Sequence, residues 1–269
     1  MSPNTNPAQQ SGALTEANDW ISYYTGMTSE VIAERARAPC VFDEFIHGRT
    51  GTMFELGCGG SPFLARGAEA GWTVGGIDFL APSLQSIKKF LTDRQLKTNY
   101  FIQGDLFTAN LDAAEKSADL IISAGLLEHF KDPAPLLERW SSVLKDDGLV
   151  VSAIPNLLSV NAKIFAKYDP EFYAQHVVFS PADMDAFHER AGLLPVRPAA
   201  YVGSYDIHML IPWDKFEQQF PHPQLYRLFK LSTTFGIGKP LQMLPLAPSK
   251  TLSPSILGVY AKPQRAKLQ

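Results

Sequence analysis

The sequence has little of what would mark a secreted, nucleic-acid-binding or membrane-spanning protein. Its 269 residues include only two cysteines, Cys40 and Cys58, so at most one disulfide could form. The net charge of −3 argues against a surface that follows nucleic-acid phosphates. No apolar run is long enough to cross a bilayer, and the N-terminus lacks the order of a signal peptide. We therefore expect a cytoplasmic protein that binds neither nucleic acid nor membrane.

The sequence also lacks internal repeats, a low-complexity run, a metal-ligand cluster and the nucleophile elbow of hydrolases. Its length is enough for one α/β domain with insertions and a substantial core. Residues 1–17 hold few large apolar side chains that could offset the entropy of ordering, so we expect a disordered tail there. The domain is then expected to span residues 18–269.

The most informative stretch is a buried strand that runs into a glycine-rich turn, Met53-Phe54-Glu55-Leu56-Gly57-Cys58-Gly59-Gly60-Ser61-Pro62. Residues 63–70 favour a helix, which Ser61 can cap and whose first turn suits Pro62. Glycines in such a turn let the backbone approach a ligand that a side chain would exclude. We expect a cofactor to lie over residues 57–59.

Two details of this turn indicate which cofactor it holds. A dinucleotide fingerprint counted from Gly57 needs a third glycine where the chain has Pro62, which weakens a nicotinamide interpretation. Glu55 places an acid at the strand end, where it could meet a ligand's ammonium group. This combination favours S-adenosylmethionine, which carries an amino acid end, a sulfonium and an adenosine.

The pattern from Glu55 to Gly59 resembles the first motif of class I S-adenosylmethionine-dependent methyltransferases, roughly acidic-x-G-x-G-x-G. The chain departs at the last position, where Ser61 follows Gly60. The resemblance covers roughly residues 51–263. It implies a Rossmann-like, seven-stranded, mostly parallel sheet with helices on both faces and an antiparallel last strand. It also implies S-adenosyl-L-methionine as cofactor and methyl transfer to an oxygen, nitrogen or carbon of a small-molecule acceptor.

Acidic residues end three successive predicted strands, at Glu55, Asp78 and Asp105. Asp78 follows the glycine turn by about twenty residues, where a carboxylate can accept hydrogen bonds from both ribose hydroxyls. The alternative for Asp78 is a helix cap or turn residue. In the resembled family, an acid after the third strand meets the adenine amino group and the next apolar residue covers the ring. Asp105 and Leu106 match those positions, and the alternative is an ordinary turn.

A fourth predicted strand, residues 119–124, runs into Gly125, and the resemblance places its end opposite the transferable methyl group. His129, just beyond it, is the first candidate for acid–base chemistry because an unperturbed histidine titrates near neutrality. The alternative is a structural histidine that holds the loop. Glu128 is interpreted as loop scaffolding.

Three further segments are expected around the cofactor-binding core, residues 51–154. Residues 18–50 form an N-terminal helical cap, in which Tyr23 or Tyr24 either reaches the methionine end of the cofactor or packs on the domain. Residues 155–180 and 204–254 form aromatic-rich insertions. The first offers Tyr173 and His176 to an acceptor. The second is interpreted as an insertion, a lid or a homodimer surface.

The candidate catalytic residues are His129, His176 and Tyr173. The candidate cofactor-binding residues are Tyr24, Glu55, Gly57, Cys58, Gly59, Asp78, Phe79, Gly104, Asp105, Leu106, Ser123, Ala124 and Gly125.

Three rival functions stay open from the sequence. The first is an enzyme that consumes S-adenosylmethionine without methylating, by cyclisation or aminocarboxypropyl transfer, and releases methylthioadenosine. The second is a nicotinamide oxidoreductase, against which Glu55 and Pro62 count. The third is a non-catalytic regulatory protein that binds S-adenosylmethionine.

Overall fold

The computed structural model describes residues 13–15, 20–21, 24, 26–244 and 246–266. Most of the tail expected to be disordered, residues 1–17, lies outside these described residues, as does Tyr23. In the described part of the chain, no helix is both long and apolar enough to cross a membrane.

The domain is built on a seven-stranded sheet in the order β3-β2-β1-β4-β5-β7-β6. The strands are β1 (Thr52–Leu56), β2 (Thr73–Asp78), β3 (Thr98–Gln103), β4 (Ala118–Ala124), β5 (Leu144–Pro155), β6 (Leu194–Val202) and β7 (Ser255–Ala261). Strands β1 to β5 pair in parallel, whereas β7 runs antiparallel to both β5 and β6. The mostly parallel sheet with an antiparallel last strand is therefore the one that the sequence predicts.

Helices follow most of the strands. They are α1 (Ser29–Ala36), α2 (Asp43–Ile46), α3 (Pro62–Glu69), α4 (Ala81–Asp93), α5 (Ala134–Trp140), α6 (Val160–Tyr168), α7 (Pro170–Tyr173), α8 (Pro181–Arg190), α9 (Trp213–Gln218), α10 (Pro223–Thr233), α11 (Lys239–Met243) and α12 (Pro263–Ala266). A π-helical turn, Thr234–Gly238, joins α10 to α11. Residues 223–243 are thus helical without interruption.

Alternate residues of the central strands enter two hydrophobic cores, because successive side chains of a strand point to opposite faces. Met53 of β1 packs in the core that also contains Leu64 of α3 and Leu84 of α4. Phe54 packs in the other core, with Trp140 of α5 and Met184 of α8. Helices therefore cover both faces of the sheet, as predicted.

The apolar pattern of residues 20–47 predicts a helical segment that Pro39 breaks or kinks, with Ile21, Ile32, Phe42, Phe45 and Ile46 among its buried positions. The segment divides around Pro39 into α1 and α2. Ile32, Phe42, Phe45 and Ile46 are buried as predicted, but the prediction for Ile21 was wrong, because its side chain is 51% exposed.

The start of β5 was also predicted wrongly. The sequence predicts a turn at residues 146–148 and a strand from 149, whereas β5 begins at Leu144. The irregularity lies inside the strand, since Ala118 of β4 pairs with Leu144 while Leu120 pairs with Leu149. Turn residues in a strand can form a bulge instead of ending it, and local sequence does not separate the two cases.

Candidate functional site

With the exception of Tyr24, which lies in the N-terminal segment, the predicted cofactor residues lie at the carboxyl ends of β1, β2, β3 and β4. Strand β1 pairs with β2 on one side and with β4 on the other, so the order of the strands reverses at β1. In open α/β sheets, the crevice at such a switch point binds the ligand. The topology therefore brings together residues that are far apart in sequence.

The glycine turn after β1 has a backbone that only small residues fit. Gly57 and Gly60 have φ angles of 71° and 62°, in the left-handed region that disfavours other side chains. A Cβ atom on Gly59 would lie 2.7 Å from both Asp78 Oδ2 and Ser83 Cβ. Ser61 then caps α3, as predicted, by accepting hydrogen bonds from the backbone N–H groups of Phe63 and Leu64.

Asp78 holds the turn in place through its buried carboxylate. Its Oδ2 accepts a hydrogen bond from Gly59 N at 2.8 Å, and its Oδ1 accepts one from Leu80 N at 2.8 Å. Burial raises the pKa of Asp78, and these two backbone hydrogen bonds partly oppose that effect. A carboxylate has about four lone-pair sites, so acceptor capacity remains for two ribose hydroxyls. Asp78 therefore acts as a turn residue, which is one of the two roles considered for it. Its binding of the ribose stays a prediction.

Glu55, near the end of β1, is also buried. The Ser61 hydroxyl donates a hydrogen bond to Glu55 Oε2. Burial is the main cause that raises the pKa of Glu55 to about 8; the hydrogen bond from Ser61 opposes this rise, and the nearby negative charge of Asp78 adds to it. A cationic ligand group would stabilise the ionised form of both carboxyls. The chemistry of this pair therefore fits the ammonium end of S-adenosylmethionine.

The ends of β2 and β3 form the side of the crevice predicted for adenine. Gly104 N donates a hydrogen bond to the carbonyl oxygen of Asp78 at 3.1 Å, which ties the two strand ends together. Asp105 Oδ1 accepts a hydrogen bond from Phe107 N at 2.8 Å. The indole N–H of Trp140 donates to the carbonyl of Leu106 at 2.9 Å and fixes that loop. Phe79, the residue after Asp78, is 40% exposed, so its apolar ring is accessible to a ligand.

The loop after β4 closes over the glycine turn. Leu126 Cδ1 lies 3.3 Å from the position that a Cβ on Gly57 would occupy. Gly125 is exposed and has a φ angle of 59°, whereas Ser123 is fully buried. Among the described residues, the Ser123 hydroxyl has no hydrogen-bond partner. Ser123, Ala124 and Gly125 therefore lie where the prediction needs them, although no contact tests their role.

The three candidate catalytic residues lie in one aromatic cluster. The rings of His129 and His176 are 4.5 Å apart between centroids, and Phe165 contacts both His176 and Tyr173. His129 Nδ1 lies 3.2 Å from the carbonyl oxygen of Gln175, which can only accept, so this ring nitrogen carries the proton. Burial, together with the neighbouring His176, lowers the pKa of His129 to about 3. This geometry supports the loop-holding alternative for His129.

His176 and Tyr173 are also held by backbone carbonyls. His176 Nδ1 lies 2.9 Å from the carbonyl of Phe172, and burial lowers the His176 pKa. The Tyr173 hydroxyl donates to the carbonyl of Leu157 at 3.4 Å. Both side chains thus anchor the segment 155–180 against the domain, and their contact with an acceptor stays a prediction.

Glu128, which the sequence analysis interprets as loop scaffolding, is buried beside His129. Its side chain is only 2% exposed, and its Oε1 lies 3.9 Å from His129 Nε2. Burial raises its pKa to about 8. Among the described residues, Oε2 has no hydrogen-bond partner. The residues next to Glu128 in sequence do not predict its burial, because the atoms that cover it belong to other segments of the chain.

The N-terminal segment lies over this loop. Leu14 N donates to the carbonyl of His129 at 2.8 Å, and the Trp20 ring meets the His129 ring edge-on at 4.8 Å. Tyr24 stacks on Trp20, while Met27 packs against Gly60 of the glycine turn. The predicted N-terminal cap therefore lies beside the predicted site. Tyr24 contacts Trp20, which in turn contacts His129.

A separate cavity of about 700 Å³ lies at the end of β6, between Val41, Val202, Tyr205 and Leu257. None of the predicted site residues lines it.

Comparison with known proteins identifies the part of the chain that contains this site. Residues 54–152 match the family described as methyltransferase domain. Residues 54–152 therefore form a methyltransferase domain, and this match supports the resemblance to class I S-adenosylmethionine-dependent methyltransferases. The resemblance inferred from residues 55–59 is thereby confirmed, as is S-adenosylmethionine as the cofactor that this domain implies.

The curated relatives include two enzymes named ubiquinone biosynthesis O-methyltransferase. The one from Hydrogenovibrio crunogenus is 30% identical over 152 residues, which cover 53% of this chain and 61% of the relative. The one from Colwellia psychrerythraea is 26% identical over 160 residues, which cover 59% of this chain and 60% of the relative. The chain thus spans about three-fifths of the length of these relatives.

Solved structures share the fold at low sequence identity. A SAM-dependent methyltransferase from Archaeoglobus fulgidus aligns with a TM-score of 0.53 and 17% identity, covering 90% of this chain and 99% of that one. The PH0226 protein from Pyrococcus horikoshii aligns with a TM-score of 0.51 and 15% identity, covering 96% of each chain. The predicted Rossmann-like fold is therefore confirmed.

Proposed function

We propose that this protein transfers the sulfonium methyl group of S-adenosylmethionine to a nucleophilic atom of a small organic acceptor. The observation that carries the proposal is the convergence of Glu55, Asp78 and the turn of residues 57–59 at the switch point of a methyltransferase domain. The matched relatives are covered only in part, so their activity supports the proposal at the level of the domain.

In this proposal, each group of the crevice has a defined task. The turn of residues 57–59 lets the cofactor approach the backbone, and Asp78 accepts hydrogen bonds from its ribose. Glu55 neutralises the amino acid end, while Asp105 and Leu106 hold the adenine. Bound S-adenosylmethionine supplies a methyl group that is already activated. The remaining contribution of the protein is to align the acceptor and to exclude water, which the loop at Leu126 supports by its position over the turn.

An oxygen nucleophile is the acceptor atom that the relatives' names support, because both are O-methyltransferases. A phenol that arrives protonated needs a base whose pKa lies near the working pH. Glu128, with a pKa of about 8, suits that task better than His129, with a pKa of about 3. His129, His176 and Tyr173 then orient the acceptor. The expected homodimer, the absence of a nucleic-acid partner and the cytoplasmic location stay predictions.

The test is to incubate the purified protein with S-adenosylmethionine, with and without a pool of phenolic, amine and carboxylate acceptors, and to identify the nucleoside product by mass spectrometry. We expect S-adenosylhomocysteine that depends on the acceptor. Methylthioadenosine formed without acceptor would instead establish an enzyme that consumes the cofactor's amino acid chain. Tight cofactor binding with neither product from the pool would favour the regulatory alternative.

A further inference from the structure

The uninterrupted helix of residues 223–243 presents a row of large apolar side chains to solvent. We refer to this row as the apolar ridge, and it consists of Leu225, Leu228, Leu231, Phe235, Ile237 and Met243. Leu228 and Phe235 are 63% and 64% exposed, and Met243 is 83% exposed. Scattered exposed leucines are ordinary on protein surfaces, whereas several large apolar side chains exposed on one helix favour an interaction surface.

The ridge is a second apolar face, distinct from the face that docks the helix on the domain. Tyr226 is buried, and its hydroxyl donates to the carbonyl of Trp213 at 2.9 Å. Phe229 packs on Phe216, with 5.9 Å between ring centroids. At about 100° per residue, Leu228 and Leu231 point away from that side of the helix, whereas Leu225 lies at its margin, on the same face as Phe229. Folding the domain therefore leaves the ridge uncovered by the described residues.

The ridge helix itself carries charges of one sign, because its charged residues are Arg227, Lys230 and Lys239. The acidic residues nearest to it in sequence, Asp214 and Glu217, are exposed on α9. From Gln218 to the end of the sequence there is no aspartate or glutamate, although the whole chain has a net charge of −3. The same stretch contains the basic residues Arg227, Lys230, Lys239, Lys250, Lys262, Arg265 and Lys267. Arg227 and Lys239 are exposed on the ridge helix itself.

We propose that the apolar ridge docks the protein onto a membrane surface that contains anionic lipids. Apolar side chains of an interfacial helix enter the boundary between headgroups and acyl chains, while flanking lysines and arginines contact anionic headgroups. The ridge helix offers both on one exposed surface. The helix lies on the membrane and does not span it. This proposal replaces the expectation, drawn from the sequence, that the protein has no membrane partner, and it does not depend on the proposed reaction.

A second copy of this chain is the other occupant to consider. A two-fold contact places the same patch of both subunits face to face. Arg227 and Lys239 of one copy would then lie near those of the other, and the ridge helix contains no acidic residue to compensate their charge. The charge pattern therefore favours an anionic lipid surface over self-association.

The experiment measures sedimentation of the full-length protein with vesicles of phosphatidylcholine alone and with vesicles that also contain phosphatidylglycerol. We expect binding to the anionic vesicles that weakens as salt is added. The double substitution Leu228→Gln/Phe235→Gln should reduce the fraction bound by about tenfold or more. Arg227→Gln and Lys239→Gln should each weaken binding about fivefold, the equivalent of about 1 kcal/mol per basic residue.

The matched control is Tyr100→Gln, which removes an exposed apolar side chain from edge strand β3. It should bind vesicles as the wild type does. Circular dichroism and S-adenosylmethionine affinity verify that every variant remains folded. Absence of binding to anionic vesicles, or equal binding of the Leu228→Gln/Phe235→Gln variant, would overturn the proposal. A dimer in sedimentation velocity that this double substitution abolishes, without vesicle binding, would assign the ridge to self-association.

Discussion

Two regions of the molecule differ in which side chains they bury. They are the crevice at the ends of β1, β2 and β4 and the helical segment 203–254. In the crevice, polar groups are buried: Glu55, Asp78 and Glu128 are all less than 6% exposed. In the segment 203–254, large apolar side chains such as Leu228 and Phe235 are exposed. Buried carboxyls and exposed hydrophobic rows both cost stability or solubility when a protein folds alone. Each region is therefore suited to contact a partner, one a small cationic ligand and the other a large apolar surface.

The largest effect in this comparison is expected at Gly59, where the crevice leaves no space for a side chain. In Gly59→Val, the new Cβ would lie 2.7 Å from Asp78 Oδ2 and Ser83 Cβ. We expect S-adenosylmethionine binding to fall below detection in calorimetry, and the free energy of unfolding to fall by about 1–3 kcal/mol. The control is Gly236→Ala in the segment 203–254, where no atom lies within 4 Å of the added Cβ. Normal binding by Gly59→Val would show that the turn does not contact the cofactor.

The second-largest loss of S-adenosylmethionine affinity is expected when Asp78 is replaced. Asp78→Ala should weaken S-adenosylmethionine binding by about 1–3 kcal/mol, because the ribose loses charge-assisted hydrogen bonds. Calorimetry measures the affinity, and a thermal melt verifies folding. Asp93→Ala is the matched control, since Asp93 is an exposed carboxylate at the end of α4 that pairs with Lys89. Unchanged affinity in a folded Asp78→Ala protein would remove the ribose role.

Glu128→Gln should change stability in a pH-dependent way. Burial raises the pKa of the Glu128 carboxyl to about 8 from the usual 4.5. The stability that this group contributes is therefore complete below about pH 4.5 and is lost as the pH rises through 8. Glu128→Gln should unfold like the wild type near pH 4 but be about 1–3 kcal/mol more stable at pH 8.

Chemical denaturation at several pH values measures this difference. Glu115→Gln, at an exposed position, is the control and should show no such trend. A constant difference between Glu128→Gln and the wild type from pH 4 to 8 would contradict the raised pKa and weaken the assignment of Glu128 as a base.

The smallest effect is expected on the apolar ridge. Leu228→Gln alone should change the free energy of unfolding by less than about 0.5 kcal/mol, because the side chain is 63% exposed. Urea denaturation without lipid measures this. Phe187→Leu in α8, where the ring is buried, provides the contrast and should destabilise clearly. A large loss of stability in Leu228→Gln would mean that the ridge packs within the protein.

The resemblance to class I methyltransferases implied the seven-stranded sheet with its antiparallel last strand, which the structure has. The residues by themselves determined the alternation of strands and helices and the positions of Glu55, Asp78 and Asp105 near strand ends. These features follow from the periodicity of apolar residues, from glycine conformation and from helix caps, all of which are encoded within a few residues. The class of cofactor followed from the same local pattern.

Only the tertiary structure decided what surrounds each side chain. The burial of Glu128, the ring contact of His129 with Trp20 and the exposure of Ile21 depend on segments that are distant in sequence. Asn156 illustrates the distance, since its side chain bonds to Ser253, 97 residues away. The local sequence pattern indicates whether a residue is apolar enough to be placed in a hydrophobic core. The actual burial and pKa of a side chain depend on which distant segments pack against it.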